Sequence, residues 1–118
     1  MRYLEDFRIG QTHQLGEHTV TAAEILAFAD QWDPQRFHID PDEARNTPFE
    51  GLIASGWHTA SIFMRLYVMT LLRDSSGIGS PGVDEIRWNE PVRPGDTLTA
   101  TLKVENITPS LGRPDREP

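Results

Sequence analysis

The stretch from Ser55 to Arg73 is the longest helical pattern in the chain, and it is apolar on almost every side. Trp57, Met64 and Leu71 lie on one face of this helix at helical spacing. Further apolar residues, among them Phe63 and Leu66, widen that face to nearly the whole circumference. The stretch is too short and too interrupted by Arg65 for a membrane span. It therefore predicts a buried helix, which other elements must wrap.

Three stretches predict strands that could wrap this helix. Residues 97–107 alternate apolar and polar side chains, which gives one buried and one wet face. Residues 83–89 read as a short strand, residues 11–20 as a weaker one, and Pro91 to Asp96 as a turn. The order of elements predicts an α+β architecture. Because two or three strands cannot cover such a helix, further strands or another subunit must help.

A second helix is predicted to begin at Thr21, because Thr21 and Glu24 have the spacing of a capping box. Apolar residues continue at helical spacing as far as Trp32, and the pair Asp33-Pro34 ends the pattern.

Residues 33–41 follow directly and hold a carboxylate, an imidazole and two prolines. The prolines predict an extended loop that aims Asp33 and His38 at a common point, and such loops often carry catalytic groups. The alternative is structural: Asp-Pro pairs form ordinary turns, and His38 would then be a hydrogen-bonded residue of the fold.

Length and composition limit the remaining possibilities. A chain of 118 residues predicts one domain over residues 1–118. Its net charge of −7, without a cluster of Lys or Arg, argues against a nucleic-acid partner. The absence of cysteine excludes disulfides and thiolate metal sites, and His38, Asp40 and His58 form an incomplete ligand set, so we expect neither metal nor cofactor. No segment resembles a signal peptide or a membrane span, which favours a cytoplasmic location.

Three segments, in their order and spacing, resemble one known family. They are Asp33-Pro34-Gln35-Arg36-Phe37-His38-Ile39-Asp40-Pro41, Gly51-Leu52-Ile53-Ala54-Ser55-Gly56 and Arg93-Pro94-Gly95-Asp96-Thr97-Leu98. Together they look like the MaoC-like dehydratase, or (R)-specific enoyl-CoA hydratase, family of hot-dog folds. The family has Gly, Asn and Pro where this chain has Trp32, Gln35 and Arg36, which affects the expected substrate range more than the reaction.

The resemblance implies a hydro-lyase that adds water reversibly to trans-2-enoyl thioesters of CoA or of an acyl carrier. It implies that Asp33 and His38 are the catalytic pair that holds one water. Gly56, with Ser55, would lie at the thioester oxygen, where the N-terminus of the long helix favours negative charge.

Two other functions stay open. An acyl-CoA thioesterase of this fold would usually carry a carboxylate on the long helix, and residues 56–72 contain no Asp or Glu. A non-catalytic acyl-binding or assembly subunit is the third hypothesis.

The end of the chain supports that third hypothesis. In the family, about two more strands follow the one predicted at residues 97–107, whereas here a short polar tail follows. An uncovered sheet edge and helix flank invite pairing. We therefore expect a homodimer or higher homo-oligomer, with segments exchanged between subunits as one route, or a truncated product.

Overall fold

The computed structural model describes residues 8–72, 83 and 85–104. These residues fall into two compact units. The first comprises residues 8–16, 65–72, 83, 85–86 and 99–104, and the second comprises Glu17–Met64 and Arg87–Leu98. The single domain predicted over residues 1–118 stays a prediction.

The second unit begins with helix α1, Ala22–Trp32, which starts where the sequence predicted. The Glu24 amide donates to Thr21 Oγ1 at 3.2 Å, and the Thr21 amide donates to Glu24 Oε1 at 2.6 Å, which completes the capping box. The helix buries Ile25 and Ala29. It ends at Asp33, so the first of the two candidate catalytic groups is fixed to the end of a well-capped helix.

The prediction of an extended loop over residues 33–41 is wrong. Helix α2, Arg36–Ile39, and helix α3, Pro41–Ala44, occupy most of this segment. Proline restricts the residue before it and opposes a helix that would run through it, but it leaves the residues between two prolines free to form a turn. Pro41 itself lies in the first turn of α3, where proline is favoured, and Asp40 caps that turn through its side chain.

Helix α4, Gly56–Tyr67, continues as a π-helical turn over Val68–Leu72, so the predicted helix of residues 55–73 is confirmed over nearly its whole length. Its burial is not all-round. His58, Ile62 and Leu71 are buried, whereas four large apolar side chains are exposed: Trp57, Phe63, Met64 and Met69. The prediction of a helix buried on every side is therefore wrong for this chain taken by itself.

A two-stranded antiparallel sheet pairs β1, Thr12–Thr19, with β2, Thr97–Lys103. Side chains of β2 alternate between exposed and half-buried, as predicted, and residues 105–107 of the predicted strand lie outside the described residues. The turn before β2 is closed by the Arg93 amide, which donates to Asp96 Oδ2 at 2.9 Å. The prediction of a strand at residues 83–89 is wrong for the residues that the structure describes, which are 83 and 85–89. A strand requires hydrogen bonds to a neighbouring strand, and these residues are not part of a sheet.

The first unit has its own apolar core. Leu15 and Leu71 are each 2% exposed, and five half-buried side chains pack against them: Leu66, Tyr67, Ala100, Leu102 and Val104. Gly16 adopts a φ of +102° inside β1, a conformation that side-chain-bearing residues rarely adopt. No helix within the described ranges is long and apolar enough to cross a membrane.

Candidate active site

Asp33 and His38 meet in the second unit, as the sequence predicted. Asp33 lies at the end of α1 and His38 in the short helix α2, and His38 Nε2 is 3.5 Å from Asp33 Oδ2. The His38 side chain is 6% exposed and that of Asp33 is 19% exposed, so both groups are shielded from most of the solvent. Their interaction is therefore screened less than that of a surface pair.

The backbone fixes the tautomer of His38. Its Nδ1 lies 2.8 Å from the carbonyl oxygen of Ile53, and a carbonyl oxygen can only accept a hydrogen bond. Nδ1 must therefore carry a proton and donate it. In the neutral imidazole, Nε2 is then left without a proton, and this is the nitrogen that faces Asp33.

Asp33 is held as a carboxylate by two hydrogen-bond donors. Gln35 Nε2 donates to Oδ1 at 2.8 Å, and Ser55 Oγ donates to Oδ2 at 2.7 Å. Burial raises the pKa of Asp33, but these two donors and the positive charge of His38 in its protonated form outweigh it, so the pKa lies below its usual value. Asp33 is thus ionised at neutral pH.

The pair consequently presents two acceptors, His38 Nε2 and Asp33 Oδ2, to the same space. Such an arrangement suits a molecule that can donate one hydrogen to each acceptor, as water can. With the imidazole neutral, it also suits general base chemistry, because both atoms can then accept a proton.

Ser55 contacts Asp33 and the first turn of α4. Its side chain is fully buried, donates its single hydroxyl hydrogen to Asp33, and accepts from the Trp57 amide at 3.2 Å. A hydroxyl has only one hydrogen, so while Ser55 holds Asp33 it cannot also donate to a substrate oxygen. In the structure Ser55 holds Asp33 and caps α4, and its predicted place beside Gly56 at the thioester oxygen stays a prediction.

Gly56 keeps the position that the sequence predicted, at the first residue of α4. Its amide N–H donates no hydrogen bond to any residue that the structure describes, whereas the next three amides of the helix are all taken by Ser55. A free N–H at a helix N-terminus can bind an oxygen that carries negative charge.

One cavity of about 570 Å³ brings these groups together. Asp33, His38 and Gly56 all line it, and its apolar walls come from eight further side chains: Phe37, Phe49, Ile53, Ala54, Trp57, Trp88, Pro91 and Val92. The arrangement is typical of a small-molecule site, where apolar walls surround a few polar groups.

Two residues that the sequence also raised lie elsewhere. His58 is buried, stacks on Phe28 with ring centroids 4.8 Å apart, and does not line the cavity. Asp40 accepts from the amides of Asp42 and Glu43, as the cap of α3. Among the described residues, no group of three or more potential ligands is arranged to hold a metal ion.

Residues 6–113 match the family described as MaoC like domain. This chain belongs to the MaoC-like dehydratase family. Among curated relatives of this MaoC-like domain is the (R)-specific enoyl-CoA hydratase of Rhodospirillum rubrum. It is 33% identical over 111 residues, which cover 92% of this chain and 74% of that protein.

Solved structures place the MaoC-like domain in the hot-dog fold. The MaoC-like dehydratase from Rhodospirillum rubrum aligns with a TM-score of 0.80 and 44% identity, over 98% of this chain and 78% of that one. The (R)-hydratase from A. caviae involved in PHA biosynthesis aligns with a TM-score of 0.71 and 31% identity, over 88% and 76% of the two chains. The predicted hot-dog fold is thereby confirmed.

Sequence reasoning missed three parts of this MaoC-like site: the Gln35 amide on Asp33, the Ile53 carbonyl on His38, and Trp88 on the cavity wall. Gln35 could have been found, since it lies two residues from Asp33. The other two depend on contacts between distant parts of the chain. No local sequence pattern predicts these contacts.

Proposed function

We propose that this protein catalyses the reversible addition of water to trans-2-enoyl thioesters, which gives 3-hydroxyacyl thioesters. One observation carries the proposal: Nε2 of His38, whose Nδ1 donates to the Ile53 carbonyl, and the carboxylate of Asp33 face each other at 3.5 Å on the wall of one cavity. Membership of the MaoC-like family supports the same reaction class.

The chemistry assigns a task to each of these groups. Water bound between His38 and Asp33 forms a bond from its oxygen to Cβ of the enoyl group while the pair takes one of its protons. The electrons of the double bond shift toward the thioester carbonyl, whose oxygen gains negative charge. A proton then returns from the pair to Cα, so that the net change is the addition of one water. We treat the two groups as one unit, because coupled groups titrate together.

Gly56 would stabilise the charge that develops on the thioester oxygen. Its amide N–H has no partner among the described residues and stands at the positive end of α4, and Gly56 lines the same cavity. One such donor typically contributes about 10²–10³-fold in rate.

The acyl group would be carried by CoA or by an acyl carrier. The name of the Rhodospirillum rubrum relative, an (R)-specific enoyl-CoA hydratase, includes CoA. The name of a 31% identical Mycobacterium tuberculosis relative, 3-hydroxyacyl-thioester dehydratase Z, includes only the thioester. Both share the enoyl or hydroxyacyl thioester group. The thioester is therefore the part of the substrate on which the proposal depends.

The test follows the enoyl chromophore. The protein is mixed with crotonyl-CoA, and loss of absorbance is recorded beside thiol release. We expect loss of absorbance without thiol release. Asp33→Asn and His38→Gln should each lower kcat by about 10²-fold or more, because general base catalysis contributes about 10²–10⁴-fold.

Asp30→Asn is the matched control, since Asp30 is an exposed carboxylate on α1 that does not line the cavity. Its rate should stay close to that of the wild type. Thiol release without hydration would instead establish a thioesterase. Binding of the thioester by a folded protein without either reaction would establish a non-catalytic acyl-binding subunit.

A further inference from the structure

The indole of Trp88 lies directly on Gly56. A Cβ atom built on Gly56 would be 2.5 Å from Cε2, 2.7 Å from Cδ2 and 2.9 Å from Cζ2 of Trp88. These distances are far shorter than any real contact, so only glycine can occupy this position beneath the ring. The fused part of the indole therefore covers the face of Gly56 on which a side chain would stand.

A second indole supports the first. Trp57 packs edge-on against Trp88, with ring centroids 5.7 Å apart and an interplanar angle of 76°. Both indoles line the cavity that holds Asp33 and His38. Edge-to-face packing of this kind favours one relative orientation of the rings. Trp88 thus forms a supported wall beside the free amide of Gly56.

The position of this wall relates it to one part of the substrate. An oxygen that accepts from the Gly56 amide lies about 2.9 Å from the nitrogen. In an enoyl thioester, Cα is bonded to the carbonyl carbon, so any group attached to Cα remains within a few bonds of that oxygen. The far end of the acyl chain has no such restriction.

We infer that Trp88 is a specificity-determining residue that excludes substituents at Cα of the thioester. The inference rests on the proposed function, because it places the thioester oxygen at Gly56. A hydrogen at Cα fits beside the indole, whereas a methyl group there meets the ring. One methyl group in an apolar site typically changes kcat/KM by about 10–200-fold.

The test compares crotonyl-CoA with 2-methylcrotonyl-CoA, which differ by one methyl group at Cα. The wild type should prefer crotonyl-CoA by about 10-fold or more in kcat/KM, and Trp88→Leu should reduce this preference to about threefold or less. The ratio between crotonyl-CoA and trans-2-hexenoyl-CoA should stay within about twofold, because chain length is not sensed at this wall. Trp88 is 51% exposed, so its replacement leaves no large core cavity.

Trp32→Leu is the matched control, since Trp32 is an exposed indole, 68% accessible, that does not line the cavity. It should leave both ratios as in the wild type. An unchanged preference in Trp88→Leu, or an equal change in Trp32→Leu, would overturn the inference. So would a change in Trp88→Leu that follows chain length rather than branching.

A second measurement separates this inference from the proposed function. Butanoyl-CoA and 2-methylpropanoyl-CoA have no double bond to hydrate, so calorimetric titration reports binding alone. Weaker binding of the branched thioester by the wild type, with the difference lost in Trp88→Leu, supports the inference even if crotonyl-CoA is not hydrated. Equal binding of the two thioesters, or binding of neither, contradicts it whatever the hydration assay shows.

Discussion

Ser55 contacts Asp33, the carboxylate of the candidate site. Its hydroxyl is fully buried and donates to Asp33 Oδ2 at 2.7 Å, on the same oxygen that faces His38. A hydrogen bond to the charged form of a group lowers its pKa. Ser55 therefore helps to keep Asp33 ionised and fixes the orientation of its carboxylate.

Ser55→Ala should raise the pKa of Asp33 and lower activity. Hydrogen bonds to charged groups contribute about 1.5–3 kcal/mol, so we expect a fall of about 10-fold or more in kcat/KM. Because Asp33 would then gain a proton at higher pH, the acid limb of the pH profile of kcat/KM should move to higher pH. The measurement is that profile with crotonyl-CoA.

The control for Ser55→Ala is Ser61→Ala, which removes an exposed hydroxyl of the same helix that bonds only to the Trp57 carbonyl. It should leave the acid limb in place. A Ser55→Ala protein with lower activity but an unmoved acid limb would show that Ser55 is structural only.

At the scale of elements, α1 and α4 are connected through His58. Its ring stacks on Phe28 of α1, and its Nε2 lies 3.7 Å from Glu24 Oε2, a carboxylate that His18 also contacts at 2.9 Å. Its Nδ1 is buried without a hydrogen-bond partner in the part of the chain that the structure describes. Protonation would place an N–H at Nδ1 with nothing to accept it.

The stability of the protein should fall as the pH is lowered through the range in which His58 titrates. Burial lowers the pKa of His58, and the nearby Glu24 carboxylate offsets this only in part. The unfolded chain, with a pKa of about 6.5, therefore binds a proton before the folded chain does, and stability is lost as pH falls below that value. The urea midpoint should decrease between about pH 7.5 and pH 5.5.

His58→Gln should remove most of this decrease, because glutamine does not titrate. Ser61→Ala, which keeps His58, should retain it. Glu24 and Asp33, whose pKa values are lowered, add a loss of stability with the same sign only in more acid solution. Equal pH dependence in the wild type and in His58→Gln would contradict this assignment.

The sequence predicted the elements that depend on local signals. The capping box at Thr21 located the start of α1, and the alternation of residues 97–107 located β2. The spacing of Asp33 and His38, together with the family resemblance, predicted a catalytic pair, and the structure shows that these two residues lie close together. Each of these signals lies within a few residues of what it predicts.

Local signals of this kind could not predict contacts between distant segments of the chain. The Ile53 carbonyl that sets the tautomer of His38 and the indole that covers Gly56 come from other parts of the chain. The prediction of an extended loop at residues 33–41 was wrong because a proline restricts itself and the residue before it, and leaves Arg36–Ile39 free to form a helical turn. The prediction that the long helix is buried on every side was wrong for this chain taken by itself, because apolar composition does not show which element covers each face.

At the scale of the whole molecule, the exposed apolar side chains of α4 support the predicted oligomer. Trp57 is 60% exposed and Met64 is 47% exposed, and they lie about two turns apart on a helix whose other side is buried. Contiguous apolar surface of this kind is characteristic of interfaces. We propose that a second copy of the chain covers it.

Light scattering after size-exclusion chromatography should therefore give at least twice the mass of one chain. Met64→Lys places a charge on the exposed face and should shift the distribution toward the monomer. Trp32→Lys, the same kind of change on α1, should not. A wild type that runs as a single chain at micromolar concentration would exclude the oligomer.

The fixed tautomer of His38 has a consequence for inhibitor design. With the imidazole neutral, Nε2 of His38 and Oδ2 of Asp33 are both acceptors, so the space that they face distinguishes ligands by the number of hydrogens they can donate rather than by shape. A primary amide or an amine supplies two hydrogens and can satisfy both atoms. A carboxylate supplies none and brings a second negative charge beside Asp33. Compounds that end in an –NH₂ group should therefore bind in this space, and their carboxylate analogues of equal size should be rejected.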